Sequence, residues 1–228
     1  TLCIGCKACE VACKEWNALP ARETRLSGHS YDNTLSLGSR AWRHVSFIEK
    51  ISTTDGYVTE MPPFQSNWLM LSDVCKHCEH AACLEAYPTG ALFRTEFDTV
   101  VVQQDICNGC GYCVPACPFG VIEIDHADGR AHKCTLCYDR LKGGLEPACS
   151  KSCPTNSIQF GELSNLKERA RRRTRDLHER GVEHAYLYGI DDGPGTSGGI
   201  GDLHAFFLLT DRPEVYNLPA TPSLPSSR

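Results

Sequence analysis

The apolar positions of this 228-residue chain come in short runs broken by polar turn signals, a pattern that predicts small strands and hairpins more than long helices. Val45-Ser46-Phe47-Ile48 and Tyr57-Val58-Thr59 read as strands around the turn Thr54-Asp55-Gly56. Residues 92–94 and 99–103 form a second pair, and 121–125 with 131–133 a third that turns at Asp128-Gly129. One longer helix is expected over 164–180, with Ser164 as its N-cap and Gly181 just past its end. Its basic stretch, 167–175, reads as a solvated face, with contact to an acidic partner subunit as the alternative. Beyond it lie a flexible glycine-rich loop at 193–201, an apolar strand at 203–209 and a Pro- and Ser-rich extended tail at 218–228.

Composition adds limits. With 41% apolar residues and mixed charge the chain reads as one or two globular domains. A formal charge of −5 gives no reason to expect nucleic acid as a partner. The most apolar segment, 205–209, is far too short to span a membrane, so no direct membrane span is expected. The sequence begins at Thr1, without Met and directly before Cys3, which leaves room for an upstream strand or targeting segment. The nine-residue GPGTSGGIG is not a dinucleotide fingerprint, because no suitable strand precedes it and no matching helix follows; it reads as linker.

Fifteen cysteines change the picture most. Most stand in C-x2-C steps, too close for structural disulfides, so metal ligation is the better explanation. Cys107, Cys110, Cys113 and Cys117, followed by Pro118, follow the C-x2-C-x2-C-x3-C-P run of bacterial iron-sulfur ferredoxins. Three thiolates of such a run wrap one cluster, and the fourth, on a short helix stopped by the proline, points at a neighbour. One run therefore demands a partner. Cys3, Cys6, Cys9 and Cys13 repeat the spacing without the proline; Cys75, Cys78 and Cys83 form a third group in which Tyr87 stands before Pro88 where the fourth thiolate belongs. Cys134 and Cys137, an eleven-residue insert, then Cys149 and Cys153 with Pro154 complete the set. Four 4Fe-4S clusters need sixteen thiolates, and the chain supplies fifteen.

Cys-Pro, hairpin and cluster loop form a repeating unit. The cysteine-free segment between the first two groups reads as an insertion, a docking or covering layer in which Trp42 and Trp68 pack. His77 and His80 lie inside the third group, with surface or outer-shell roles expected for them. Lys7, Lys76 and Lys133 adjoin ligand cysteines; raising cluster potentials and ordinary surface placement are both open for them. No Ser-His-Asp, carboxylate-pair or phosphate-loop arrangement stands out. Zinc, which uses two C-x2-C pairs per ion, gives the different-class alternative of a colourless interaction scaffold.

Over nearly its whole length the chain resembles the iron-sulfur beta subunits of molybdenum or tungsten bis-pterin oxidoreductases, and within them formate dehydrogenase. The resemblance rests on CIGCKACEVACKEWN at 3–17, Tyr31-Asp32-Asn33, KCTLCYDRL at 133–141, EPACSKSCPT at 146–155, and the late LYG, glycine loop and Leu203-His204. It implies an α+β fold of two nested ferredoxin-like lobes, each for two clusters: lobe A from 1–13 and 130–160, an insertion at 14–73, lobe B at 74–129, and a C-terminal helix/strand extension and tail at 161–228. It implies Cys3, Cys6, Cys9 and Cys153 for cluster one, Cys13, Cys134, Cys137 and Cys149 for cluster two, and Cys75, Cys78, Cys83 and Cys117 for cluster three. The fourth, 4Fe-4S or 3Fe-4S, would have Cys107, Cys110 and Cys113, with Tyr87 in the remaining place.

The implied role is that of a non-catalytic electron-transfer subunit. A molybdenum or tungsten pterin catalytic subunit would oxidise formate to CO2, and this chain would carry the electrons toward a quinone-reducing or a soluble acceptor. Nitrate, dimethyl sulfoxide and sulfur-oxyanion oxidoreductases are the alternatives. Membrane-bound relatives often add a C-terminal membrane helix, whereas this sequence ends in PSLPSSR. An integral cytochrome subunit and a soluble acceptor both remain open as partners, as do the cytoplasmic and periplasmic faces of the membrane.

Overall fold

A computed structural model describes residues 2–22, 28, 31–49, 53–54, 57–58, 68–86 and 88–224. After a loop through Cys3 and Cys6 comes helix α1 (Ala8–Trp16), on which Cys9 and Cys13, four residues apart, share the buried face. Strand β1 (Arg43–Glu49) follows, then the two-residue strands β2 (Thr53–Thr54) and β3 (Tyr57–Val58), which pair with each other, and β4 (Trp68–Val74). The strand expected at 45–48 pairs not across the Thr54 turn but with β4, antiparallel, from Arg43↔Val74 to Glu49↔Trp68. The seven-residue WLMLSDV run matches β1 in length, satisfies more backbone groups than YVT and buries Val45 and Leu71. Asp55, Gly56 and Thr59 lie outside the described residues.

Helix α2 (Ala82–Glu85) precedes the antiparallel pair β5 (Leu92–Arg94) and β6 (Val100–Val102). Helix α3 (Cys113–Ala116) precedes β7 (Glu123–Ile124) and β8 (Ala131–His132). Both hairpins stand where expected. The second is shorter than 121–125, and beyond it Asp125 builds the turn, its Oδ1 accepting the Ala127 N–H at 2.8 Å while its own N–H donates to the Arg130 carbonyl at 2.9 Å. Helices α4 (Tyr138–Lys142) and α5 (Ala148–Lys151) carry the last cysteine group.

Helix α6 (Leu163–Glu179) begins before Ser164, with Glu162 at the cap position and Ser164 inside the first turn. Its end is as expected: the Gly181 and Val182 N–H groups close onto the carbonyls of His178 and Leu177, each at 2.9 Å. The basic stretch is not wholly a solvated face. Lys167 pairs with Asp202, and Arg171 grips Asp191 with its Nε 2.8 Å from Oδ2. Those carboxylates fasten the helix to the glycine-rich loop.

That loop is packed and does not hang free. Ile200 is fully buried, its carbonyl accepts the His80 N–H at 2.9 Å, and Asp202 does the same for Glu79, so the loop straps the third cysteine group. Of residues 203–209, the last three form β10 (Phe207–Leu209), paired with β9 (Tyr186–Tyr188), while Leu203 bridges to Cys78. The tail packs too: Leu218 is buried and the Leu224 N–H reaches the Gly198 carbonyl at 2.9 Å.

The described residues thus form a mixed α/β fold with five two-stranded antiparallel sheets. Among them no helix is long and apolar enough to cross a membrane. The core is unusual in content. Leu71, Val74, Leu92, Val100, Val121, Ile122, Leu203 and Leu209 form a shell around Cys75, Cys78, Cys83, Cys107, Cys113 and Cys134.

Gly189, at the β9 end of the strap, has φ +91°, and a Cβ there would lie 2.4 Å from Cδ1 of the fully buried Leu203. Gly189→Ala is therefore expected to cost about 1–3 kcal/mol through strain and crowding together. Anaerobic guanidinium unfolding checks this; an unchanged midpoint would contradict it.

Candidate metal centres

The first and last cysteine groups, more than a hundred residues apart, meet through α1 and α5. The Ser152 hydroxyl donates to the Ala8 carbonyl at 3.3 Å, and Trp16 Nε1 donates to Asp139 at 2.8 Å under the Arg140 guanidinium, which lies 4.2 Å from the indole centroid. Cys149 thereby joins Cys9 in a buried cluster flanked by Cys3 and Ile158. Burial pushes the Cys13 thiol up to about 12, and the nearby Cys149, Cys137 and Cys9 push the same way. Cys134 rises well above its ordinary value through burial, then through Cys13 and Cys75.

The middle groups meet in the same manner. Burial raises Cys78, and Cys75, Cys117 and Cys83 add to it; Cys83 itself goes up to about 12, mainly by burial. Cys113 is pushed up to about 11 by burial and then by Cys107 and Cys110. Gly109 brings this last loop against the β7–β8 turn, where a Cβ would lie 2.1 Å from the Gly129 carbonyl oxygen. Tyr87 lies outside the described residues.

The thiols influence one another within the implied groups and across them, as Cys9 does with Cys13 and Cys149, Cys75 with Cys134 and Cys117 with Cys113. Two thiols run the other way: burial would raise both, but His77 and Lys133 bring Cys75 down to about 5, and N–H donors from Ile158, Ser157 and Thr155 with the Thr155 hydroxyl bring Cys153 below its ordinary value.

All fifteen cysteines are free of disulfides. Among the described residues no three Cys, His, Asp or Glu side chains converge closely enough for a single metal ion. A tetrahedral zinc would need its sulfurs about 3.8 Å apart. A four-iron cube carries one thiolate on each of its separated irons and calls for a looser gathering. The donor set also fits such a cube: it is all sulfur, it is buried, and its thiolates repel one another unless metal cations lie between them. Backbone N–H groups already point at sulfur, from Ala131 to Cys107 at 3.4 Å, Leu136 to Cys134 at 3.3 Å and Ser157 to Cys153 at 3.2 Å.

The family of 4Fe-4S dicluster domains matches residues 66–163. The formate dehydrogenase iron-sulfur subunit of Haemophilus influenzae is 40% identical over 97% of this chain and 67% of its own length. The nitrate-inducible formate dehydrogenase iron-sulfur subunit of Escherichia coli is 39% identical over 99% and 72%. The chain belongs to the formate dehydrogenase iron-sulfur subunits. The thiosulfate reductase electron transfer subunit of Salmonella typhi is 38% identical, over 71% of this chain and 71% of its own length. The similarity of this iron-sulfur subunit to the two formate dehydrogenase subunits thus runs over more of the chain than its similarity to the thiosulfate reductase subunit.

Cysteine spacing has no means of revealing the polar residues around the thiols of this subunit. Arg43, buried at the start of β1, places its NH2 3.1 Å from Cys149 Sγ. Ser72 Oγ lies 3.2 Å from Cys9 Sγ, and Asn17 Nδ2 lies 3.7 Å from Cys13 Sγ and 3.9 Å from Cys137 Sγ. Lys76 and Lys133 are both almost fully buried, which removes the surface reading for them. His77 is buried and accepts the Val100 N–H at Nδ1, 3.0 Å away, while His80 is exposed.

Each thiol must lose its proton to ligate iron. Thiols raised as far as Cys13, Cys83 and Cys113 stay protonated at neutral pH, so protons compete harder as pH falls. Chelator stripping of the loaded protein should accelerate between pH 8.5 and pH 6.5 and should unfold it, as read by far-UV circular dichroism. Reloading in weak buffer should release close to one proton per ligating cysteine. Stripping at a pH-independent rate without loss of ellipticity would count against this account.

Proposed function

We propose that this chain is the electron-conducting subunit of a formate-oxidising complex, in which a molybdenum or tungsten pterin subunit oxidises formate to CO2. The observation that carries the reading is the near full-length similarity to formate dehydrogenase iron-sulfur subunits, and the nearness of Cys149 to Cys9 and Cys13 and of Cys117 to Cys78 supports it. Bound iron-sulfur clusters would accept and pass electrons one at a time. The acceptor is quinone-reducing or soluble.

In this proposal Cys3, Cys6, Cys9 and Cys153 hold cluster one, and Cys13, Cys134, Cys137 and Cys149 cluster two. Cys75, Cys78, Cys83 and Cys117 hold cluster three, and Cys107, Cys110 and Cys113 a fourth. Two nested lobes follow, lobe A from 1–13 and 130–160 and lobe B from 74–129. Cys149 beside Cys9 and Cys13, and Cys117 beside Cys78, support that nesting. The insertion and the 161–228 extension cover the lobes. Of the fifteen thiols only Cys6 and Cys110 are exposed, each near exposed apolar residues, Leu2 and Ile4 for one and Ile106 and Tyr112 for the other. We assign them to the entry and exit of electrons. No residue of this chain is assigned a catalytic role.

Native isolation with metal analysis tests the reading. The chain should come out with a molybdenum or tungsten subunit and should contain about fifteen or sixteen irons. Formate should bleach the complex and leave the separated chain unreduced. Eight irons or fewer would end the four-cluster scheme, and a partner that reduces nitrate or a sulfur oxyanion would replace formate while sparing the conduction.

In the sequence Tyr87 stands before Pro88, where the fourth ligand for Cys107, Cys110 and Cys113 would belong. With one thiolate fewer, one iron there would be held by the phenolate or by water, or would be shed to leave a 3Fe-4S cluster, and the potential would rise. Redox-titrated EPR of Tyr87→Cys should lose any 3Fe-4S signal and show a lower potential at one centre only. Spectra, potentials and iron content equal to the native protein's would remove Tyr87 from ligation.

A further inference from the structure

Two buried cations stand at the boundaries between cysteine groups. Arg43 is 6% exposed; its NH2 lies 3.1 Å from Cys149 Sγ, its NH1 donates to the Ser72 carbonyl at 3.1 Å, and its Nε has no partner among the described residues. Its charge faces Cys149 and Cys9. Lys133 is 2% exposed; its Nζ lies 3.5 Å from Cys75 Sγ and 2.9 Å from the Cys134 carbonyl, and it also donates to the Val100 carbonyl. Its charge faces Cys75, Cys83 and Cys134. Among the described residues neither is paired with a carboxylate. The third buried cation, Lys76, contrasts with both: Asp73 neutralises it, and the rings of Phe119 and Phe207 lie 5.2 and 5.4 Å away.

A buried charge without a carboxylate is sustained only by other anions nearby, and in the loaded protein those would be the ligating thiolates. We propose that Arg43 and Lys133 are junction cations, Arg43 set between clusters one and two and Lys133 between clusters two and three, each raising the reduction potentials on both of its sides. The assignment rests on the ligand sets proposed above. Reduction adds a negative charge to a centre, and a fixed cation a few ångströms away in a water-poor interior stabilises that charge far more than a cation in solvent does. A cation at a junction acts on two centres at once. Arg43 reaches its place on β1, which gives the 14–73 insertion an electrostatic part beyond covering the lobes.

The test is a mediator redox titration of the intact loaded chain, followed by EPR, without formate or a catalytic subunit. Failure of the formate reading therefore leaves the result interpretable, and failure of the ligand sets shows in the native iron content and the number of centres. Arg43→Gln is expected to lower the potentials of two centres by a tenfold or larger shift in their reduction equilibria, about 59 mV each for one electron. Lys133→Gln should lower two centres as well, with one centre common to both variants. Arg43→Lys and Lys133→Arg keep the charge and should stay near the native values. Lys151→Gln removes a mostly exposed charge between Cys149 and Cys153 and should move nothing by that much. If glutamine variants fail to take up iron, Arg43→Met and Lys133→Met carry the same comparison. Potentials unchanged in the neutral variants, all centres shifted alike, or no shared centre would each overturn the proposal.

Discussion

The rest of the structure answers to one constraint, the burial of many sulfur ligands that must be anionic when they work. An ordinary chain of this size fills its centre with aliphatic side chains, and here six of the 22 residues of the main buried cluster are cysteine. Burial and mutual repulsion push thiols such as Cys13, Cys83 and Cys113 far above their usual range, so the bare arrangement resists the very ionisation that ligation needs. Metal charge, N–H groups aimed at sulfur and buried cations are the forces that oppose this. Each is supplied from a different part of the sequence.

That division explains why the fold is held by contacts between distant segments. The ties from Trp16 to Asp139 and from Ser152 to Ala8 bind the two ends of the cysteine pattern, while the strap at 193–202 holds the third group from outside through Glu79 and His80. Short hairpins and four-residue helices bury too little to be stable alone. Their order comes from the sulfur-rich centre they surround, which makes folding and metal loading parts of one process.

What can be read from the residues is whatever has a fixed local spacing. The hairpins at 92–102 and 123–132 and the Gly181 stop are local signals, and each is found in its place. The partner of β1 is not legible in this way, because pairing is decided by matching length and burial at a distance, and WLMLSDV outcompetes YVT. The glycine-rich segment reads as a linker because glycine signals backbone freedom without saying whether packing uses it; Gly189 and Ile200 show that it does. Arg43 gives no signal at all, since a strand opening on arginine is ordinary until Cys149 is found beside it.

Lys76 and Lys133 carry that lesson one step further. Both adjoin a ligand cysteine, both are almost fully buried, and sequence offers nothing to tell them apart. Their surroundings differ in sign: Asp73 beside Lys76 makes a nearly neutral pair, whose field falls off quickly, whereas among the described residues Lys133 bonds to carbonyl oxygens and a cysteine sulfur, with no carboxylate, and keeps its net charge. Adjacency to a ligand therefore does not measure influence on it. What decides is whether the cation's countercharge is a carboxylate of its own or the sulfur of the site.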